Sequence, residues 1–581
     1  MATETHLERP HHKVWPARLP REVVIPQTSL WFNLAVSAAR FPDKAAYLFF
    51  GQALNYRDLH AQAEAVAGWL QSVGVKAGDR VAIYMQNCPQ FVAAYYGILR
   101  ANAVVVPVNP MNKAEEFQHY ITDPQVRVVI CSADLAAFVA AANAAVPHAE
   151  RLQHVLVTRY FEAMPLAELA AADAPSPAVQ AWLRGDPALP DSPGTDYSRW
   201  LDVIAQSLAP GPHTAQSDDL AMLPYTSGTT GLPKGCVHTH RTLMANTVAG
   251  QWGHAGPENI SLGVVPMFHI TGMLYGVLNT VYSGGTVVIL PRWDRELAGR
   301  LISHYKVSHW TCIPTMVIDL FASPNYKTFD LTSLRYISGG GAAMPAAVAE
   351  RLQNEFGLTF AEGYGLTETA APSHANPPER AKLQCLGMPI FGVDSRVIDP
   401  VTLTEMPVGE VGEIITRGPM MFKGYWRHPE ATAAAFIEFE GHRFFRTGDL
   451  GRMDEEGYFF ITDRLKRMIN ASGFKVWPAE VEALLFRNTA VQEACIIASR
   501  DAYRGETVKA VVVLRAEAKG HTTEQDIIDW AREHMAAYKV PKMVEFVGAL
   551  PKSGSGKVMW RWLQDEEAKR TEAGAGVGAG V

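Results

Sequence analysis

Apolar residues recur at helical spacing through "YRDLHAQAEAVAGWLQSVG" (56–74), and the run stops at a glycine. That pattern predicts an amphipathic helix closed by a residue free to turn. A short apolar strand, "DRVAIYM" (79–85), follows; "PQFVAAYYGILRAN" (89–102) returns to helical spacing, and "AVVVPVN" (103–109) has the profile of a buried strand. This β-α-β rhythm predicts an α/β domain with a largely parallel sheet. Residues 160–216, rich in Ala, Pro and Asp, interrupt it and are expected to form an irregular, partly exposed insertion. The rhythm resumes in "DDLAMLPYTSG" (218–228), "NISLGVVPMFH" (259–269), "GGTVVIL" (284–290), "SHWTCIPT" (308–315) and "LRYISGG" (334–340). Several of these strands end in Gly, Ser or Thr. Ligands of open α/β sheets sit beyond the carboxyl ends of the strands, so these loops are expected to share one site.

The pattern changes after residue 467. "EACIIAS" (493–499) and "KAVVVLR" (509–515) form an expected strand pair, "TTEQDIIDWAREHM" (522–535) a helix with a Thr522–Gln525 capping box, and "MVEFVG" (543–548) one more strand. A second domain of about 100 residues fits this stretch. The tail "AGAGVGAGV" (573–581) is expected to be disordered, and no internal repeat is present. A chain of 581 residues exceeds what one hydrophobic core sustains, which agrees with at least two domains.

Composition narrows the function classes. Apolar residues make up 48% and charged residues 19%, too apolar for a disordered chain, and the net charge of −7 argues against binding nucleic acid through bulk basic charge. The six cysteines form no CxxC pair, which points to reduced thiols and a cytoplasmic setting; His238 and His240 have no further ligand at zinc spacing. The N-terminus lacks the apolar core of a signal peptide, and Arg100 and Asn102 break the most apolar stretch, Phe91 to Val108, before it could serve as a membrane span.

One stretch carries candidate chemistry. "YTSGTTGLPKG" (225–235) lies between the apolar strand "LAMLPY" and the helical "HRTLMANTVAG". Glycines permit backbone N–H groups to converge on an anion, hydroxyls add donors, and Lys234 adds charge. Strand, Gly-rich loop and helix is the layout of a phosphate site. The stretch lacks the G-K-[ST] ending of a P-loop; "PKSGSGKV" has Pro551 where the first glycine belongs, and "SGGGAAM" ends on Met344 where a dinucleotide fingerprint needs Gly or Ala. On these residues alone a structural turn and a phosphate loop both stand.

The order of residues in "YTSGTTGLPKG" resembles the AMP-binding signature of the adenylate-forming superfamily, which includes acyl-CoA synthetases, peptide-synthetase adenylation domains and beetle luciferases. Four further stretches resemble that family's motifs in the same order: "EGYGLTET" (362–369), "FRTGDL" (445–450), "DRLKRMINASGFKVWPAEVE" (463–482) and "PKSGSGK" (551–557). The resemblance implies an α/β fold with a large N-terminal domain of several subdomains (1–462), a hinge (463–467), a small mobile α+β C-terminal domain (468–565) and a disordered tail (566–581). It implies two steps. A carboxylate attacks the α-phosphate of ATP with release of pyrophosphate, and the thiol of CoA then displaces AMP.

Roles follow from the same resemblance. Thr226, Ser227, Gly228, Thr229, Thr230, Gly231 and Lys234 would hold the β- and γ-phosphates; Glu368 would hold Mg²⁺, and Thr367 would contact the α-phosphate. Tyr364, with Gly363 and Gly365 beside it, would stack on adenine opposite Gly340, Gly341 and Ala342. Glu362 stands where many relatives carry Asn to read the adenine amine. Asp449 and Arg464 would face the ribose. Lys557 would bridge the carboxylate and the α-phosphate, stabilising the charge that develops there. Lys466 would be the hinge between the two steps, and Ser472, Gly473 and Phe474 would line the CoA channel. His269 would sit beside the acyl group, within a pocket of Ile270, Met273, Leu274, Val277 and Ile313; Gly272 and Gly276 would leave space for a chain.

The acid is then expected to be a medium- or long-chain fatty acid, activated by a fatty acid–CoA ligase. An aryl acid of benzoate or cinnamate type, a carrier-protein thiol in place of CoA, a luciferase-type oxidation and a non-catalytic nucleotide-binding scaffold are the alternatives. No nucleic-acid partner is expected; peripheral membrane contact and homodimerisation stay open.

Overall fold

The structure, a computed structural model, describes residues 9–226, 232–340, 344–464, 467, 469–471, 474–476, 478–501, 505–553 and 558–577. The chain forms two compact units. The first comprises Met1–Asp394, Arg417–Phe436 and Glu456–Tyr458; the second comprises Ser395–Thr416, Ile437–Glu455 and Phe459–Val581.

Among the described residues the first unit holds two sheets. In one, Arg80–Tyr84 pairs in parallel with Val104–Pro107 and with Val128–Ser132, as the β-α-β rhythm predicts. These strands bury almost every side chain, so they show as continuous apolar runs without alternation. The helices Tyr56–Ser72 and Pro89–Arg100 pack closely: a Cβ on Gly97 would lie 2.6 Å from Val66 Cγ1. The stretch 160–216 is more ordered than its composition implies. It contains the helices Pro177–Leu183 and Trp200–Gln206, and Asp196–Arg199 joins the sheet edge in parallel with His154–Thr158.

The other sheet of this unit is nine-stranded, and its parallel centre is built from Thr286–Ile289, Ile260–Gly263, His309–Cys312, Tyr336–Gly339 and Phe360–Leu366. Ala45–Phe49, from early in the chain, pairs in parallel with Thr286–Ile289, and Thr286 Oγ1 donates to the Ala45 carbonyl. Because the central strands are parallel, their carboxyl ends open on one edge, and the chain turns there into the candidate motifs. Near the N-terminus, Trp15 lies edge-on to Trp252 and Phe391, and Arg18 donates to the carbonyls of Gln251 and Trp252.

The second unit contains the antiparallel strands Gly412–Arg417, His442–Met453 and Phe459–Arg464, and the expected pair Val491–Asp501 and Gly505–Leu514, with Met543–Phe546 parallel to the latter. Two details differ from the sequence reading. The helix Glu524–His534 is capped by Thr523, which shares its capping box with Asp526, one position beyond the Thr522–Gln525 pair. Asp526 closes that box as well as a glutamine would, so the register was open between neighbouring threonines. The chain is also helical through Val577, where disorder was expected from residue 566. Glu567 explains the anchoring: it is buried and accepts from Lys509 at 2.6 Å and from Ser499 at 2.7 Å.

Candidate active site

The Gly-rich stretch leaves the sheet after Leu220–Met222 and is closed at its base. Tyr225 and Gly235 form an antiparallel bridge, and the Thr226 N–H donates to the Lys234 carbonyl at 3.0 Å. A Cβ on Gly235 would press within 3.1–3.3 Å of the Tyr225 ring. The Tyr225 hydroxyl in turn donates to Asp123 at 2.5 Å, fixing the neck of the loop to the fold. Thr226 and Lys234 are thus brought together; Ser227, Gly228, Thr229, Thr230 and Gly231 lie outside the described residues.

The Thr367–Thr369 turn carries the other residues expected on the phosphate side. Asn246, buried, donates from Nδ2 to the carbonyls of Thr369, Ala370 and Pro372. Those contacts hold Ala370 and Ala371 at positive φ, +50° and +78°, a backbone state that side chains other than glycine adopt only when their surroundings impose it. His238 is fully buried and its Nε2 meets the Thr367 carbonyl at 2.8 Å; burial lowers its pKa to about 4, so the ring is neutral and this nitrogen donates. Glu368 accepts from the Tyr425 hydroxyl at 2.7 Å, and Lys234 Nζ lies 5.4 Å from the centre of the same tyrosine ring. Lys234, Tyr425 and Glu368 therefore form one cluster. Among the described residues no group of three or more His, Cys, Asp or Glu is placed to hold a metal ion. One carboxylate suits Mg²⁺ that arrives with the phosphates, since this ion keeps waters and takes few protein ligands.

Gly340 follows Tyr336–Gly339, and a Cβ on it would lie 2.4 Å from the Gly363 carbonyl. The two glycines thus face each other across neighbouring strands, with Tyr364 beside them, 9% exposed and 5.6 Å from His374 ring to ring. A Cβ on Gly365 would strike the Ala371 carbonyl at 1.9 Å. Glu362 is buried, and its Oε1 accepts from the backbone N–H groups of Gln384 at 2.9 Å and Met344 at 3.3 Å. Desolvation pushes its pKa up to about 7 although these hydrogen bonds act the other way. In this structure Glu362 ties two backbone segments together. Gly341 and Ala342 lie outside the described residues.

In the second unit Asp449 is buried, its N–H donates to Thr447 Oγ1 at 3.0 Å, and its Cα partner across the strand pair is Arg464. Lys466, Ser472, Gly473 and Lys557 lie outside the described residues, as do the side chains of Arg464 and Phe474.

A cavity of about 90 Å³ lies in the first unit, against one face of the nine-stranded sheet. Gly272, Leu274, Tyr275 and Gly276 line it from one helical segment, and Trp252 lines it from another. The helical segment is α-helical over Ile270–Met273 and Asn279–Ser283, with a π turn at Leu274–Leu278 between them. Such turns leave carbonyls without helical partners and are frequent at functional sites. Here Tyr47 donates to the Gly276 carbonyl at 3.0 Å and Thr280 Oγ1 to that of Tyr275 at 3.1 Å. Of the expected pocket residues Leu274 lines this cavity. Ile270, Met273 and Val277 are buried in the core; Ile313 caps the helix Pro314–Phe321; His269 caps Ile270–Met273, its Nδ1 accepting from the Thr271 N–H at 3.3 Å. Gly272 also lines the cavity, and a Cβ there would meet the Pro266 carbonyl at 2.1 Å, so its missing side chain admits the neighbouring loop.

Sequence reasoning missed Asn246, Tyr425 and the structural use of His238. No local pattern marks the first two. His238 was visible only as half of a His-x-His pair.

Comparison with known proteins supplies the context for these groups. The family model for the AMP-binding enzyme matches residues 34–426, and that for the AMP-binding enzyme C-terminal domain matches residues 480–557. A long-chain-fatty-acid–CoA ligase of Bacillus subtilis is 35% identical, covering 97% of this chain and 99% of its own. A feruloyl-CoA synthase of an Amycolatopsis species is 34% identical, covering 89% and 95%. Among solved structures, ATP-bound MatB from Rhodopseudomonas palustris superposes with a TM-score of 0.77 at 27% identity, covering 93% of this chain and 99% of that one.

Proposed function

The chain belongs to the AMP-binding enzyme family, whose members use ATP, Mg²⁺ and CoA, and from that premise we propose that it joins a medium- or long-chain fatty acid to CoA. Acid–CoA ligation of the AMP-forming type is the activity of the family; the identity of the acid is the proposal. The observation that carries it is the cavity behind the carboxyl edge of the nine-stranded sheet, whose walls, among the described residues, contain no Asp, Glu, Lys or Arg. Such a site accommodates a neutral tail and leaves the carboxylate at the edge.

In the first half-reaction a carboxylate oxygen bonds to the α-phosphorus of ATP and the bond to pyrophosphate breaks. Thr226 and Lys234 stand at the closed base of the loop that would receive the β- and γ-phosphates. Glu368, oriented by Tyr425, would hold Mg²⁺, which offsets phosphate charge when bound. Tyr364, Gly340 and Gly363 would receive the base, and Asp449, an acceptor only, the ribose hydroxyls. Lys557 would meet the charge that forms between carboxylate and α-phosphate. In the second half-reaction the CoA sulfur bonds to the acyl carbon, the thiol proton leaves, and AMP departs. Lys466 would be the pivot between the two, and Ser472, Gly473 and Phe474 would border the thiol's approach.

The defining assay is CoA-dependent AMP formation over acids from acetate to palmitate, with benzoate and cinnamate. A rise in kcat/KM with chain length supports the fatty acid; an optimum at an aromatic acid replaces it while leaving the ligase in place. The aryl reading has one observation in its favour, the polar residues Asn259, Ser261 and His309 in the cavity wall. For Lys557→Ala we expect adenylate formation to fall about 10²–10³-fold while thioester formation from supplied acyl-adenylate persists. Equal loss in both half-reactions would remove Lys557 from the assigned role.

A further inference from the structure

The cavity walls are polar at one end. Parallel registers place Ser261 beside His309 and His309 beside Tyr336, in one row across the sheet. Thr311, two residues further along its strand, lines the cavity nearer the carboxyl edge. The Ser261–His309–Tyr336 row therefore lies at the end away from Gly340. Asn259 joins it, its Nδ2 lying 3.2 Å from His309 Nε2 and donating to the His254 carbonyl at 2.8 Å. His309 is neutral, since burial takes its pKa down to about 4.

Asn279 is the group that this polar end leaves unexplained. It follows the π turn, lines the same cavity and is 7% exposed. Its Oδ1 is buried and has no hydrogen-bond partner among the described residues. The amide nitrogen packs against Gly250, where a Cβ would come within 2.8 Å. A buried acceptor without a donor is costly in a folded protein, and most such atoms have a partner.

We propose that the acid carries an uncharged hydroxyl remote from its carboxylate, and that this hydroxyl donates to Asn279 Oδ1. The proposal rests on the ligase reading above and deepens its substrate class. The strand Tyr336–Gly339 spans about 13 Å at about 3.3 Å per residue. Allowing for the carboxylate at the edge, the hydroxyl sits on the order of 10 Å away, or about eight bonds at about 1.3 Å of extension each. An ω-hydroxylated medium-chain acid and a 4-hydroxycinnamate-type acid both present such a group. Among the described residues Asp, Glu, Lys and Arg are absent from the walls, so an ω-carboxylate or ω-amine meets no counter-charge among them.

The test compares kcat/KM for CoA-dependent AMP formation within two pairs of acids: 8-hydroxyoctanoate against octanoate, and 4-hydroxycinnamate against cinnamate. In the unmodified enzyme the hydroxylated member of at least one pair should lead by roughly tenfold or more, because its analogue leaves Oδ1 unpaired. The pair that shows the lead identifies the source of the hydroxyl. Asn279→Leu should erase or invert the lead while KM for ATP stays within about twofold. Equal or better use of both unsubstituted acids by the unmodified enzyme would overturn the proposal and leave the ligase reading standing; this comparison decides even if Asn279→Leu does not fold. A lead that survives in folded Asn279→Leu would also overturn it, by removing the residue from the recognition. Absence of AMP formation with every acid would sink the ligase reading and the proposal together.

Discussion

At the scale of single residues, the proposed phosphate side is organised around hydrogen bonds to Glu368 and to the turn that carries it. The Tyr425 hydroxyl donates to Glu368, so Tyr425→Phe should leave the fold intact and weaken Mg²⁺ use by about 10–100-fold, the range typical when a ligand loses its orienting partner. A Mg²⁺ titration at saturating ATP and acid reads this directly; an unchanged half-saturation point would make the contact ornamental to the site. The motif letters singled out Thr226, Lys234, Gly340, Tyr364, Glu368 and Asp449 as candidates, because each lies in a short local pattern. They could not locate Tyr425, Asn246 or His238 as supports. These residues act across 57 to 129 positions of sequence, and such distances become contacts only when the sheet forms. Glu362 shows the converse: a motif position whose carboxylate is occupied with the protein's own backbone.

At the scale of elements, the β-α-β rhythm was legible because buried parallel strands leave runs of Val and Ile that few other structures produce. The π turn at Leu274–Leu278 was not legible. It differs from an α-helix by one residue in the spacing of hydrogen bonds, and "LYGVL" fits either. What sustains it lies elsewhere in the chain: Tyr47, fully buried, supplies a donor to the Gly276 carbonyl. Tyr47→Phe keeps the ring and removes that donor. The expected cost is about 1–3 kcal/mol, the penalty of a buried carbonyl left unpaired, read as a lower urea midpoint. Because the turn lines the cavity, discrimination among acids should change in the same variant. A change in stability with an unaltered acid profile would separate the turn from specificity.

At the scale of the whole molecule, buried histidines set the response to acid. Burial lowers the pKa of His238, His240 and His309 to about 4 and of His11 and His374 to about 3, against 6.5 when exposed. Below pH 6.5 the unfolded chain takes up protons that these folded sites refuse, so stability should fall as pH drops from 6.5 toward 4. Each withheld proton is worth about 1.4 kcal/mol per pH unit. Glu362 works in the opposite direction: its folded pKa of about 7 exceeds the usual 4.5, so its contribution grows as pH falls from 7 to 4.5 and offsets one histidine. Denaturation midpoints at pH 7, 6 and 5 should decline with increasing steepness; a flat profile would mean that the histidines titrate normally. None of this was legible in the sequence, where nineteen histidines look alike until burial separates them.

The place of Ala45–Phe49 in the nine-stranded sheet has a consequence for synthesis. Ala45 bonds to a residue 241 positions further on, and Thr286–Ile289 is the neighbour against which that early strand lies. At about 5–20 residues per second, the early strand waits on the order of 10–50 s on the ribosome for its partner. Throughout that interval an apolar nascent segment carrying Tyr47, Leu48 and Phe49 is open to chaperones and to other nascent chains. The yield of active enzyme should therefore respond to translation speed and to growth temperature more steeply than the finished fold's stability implies.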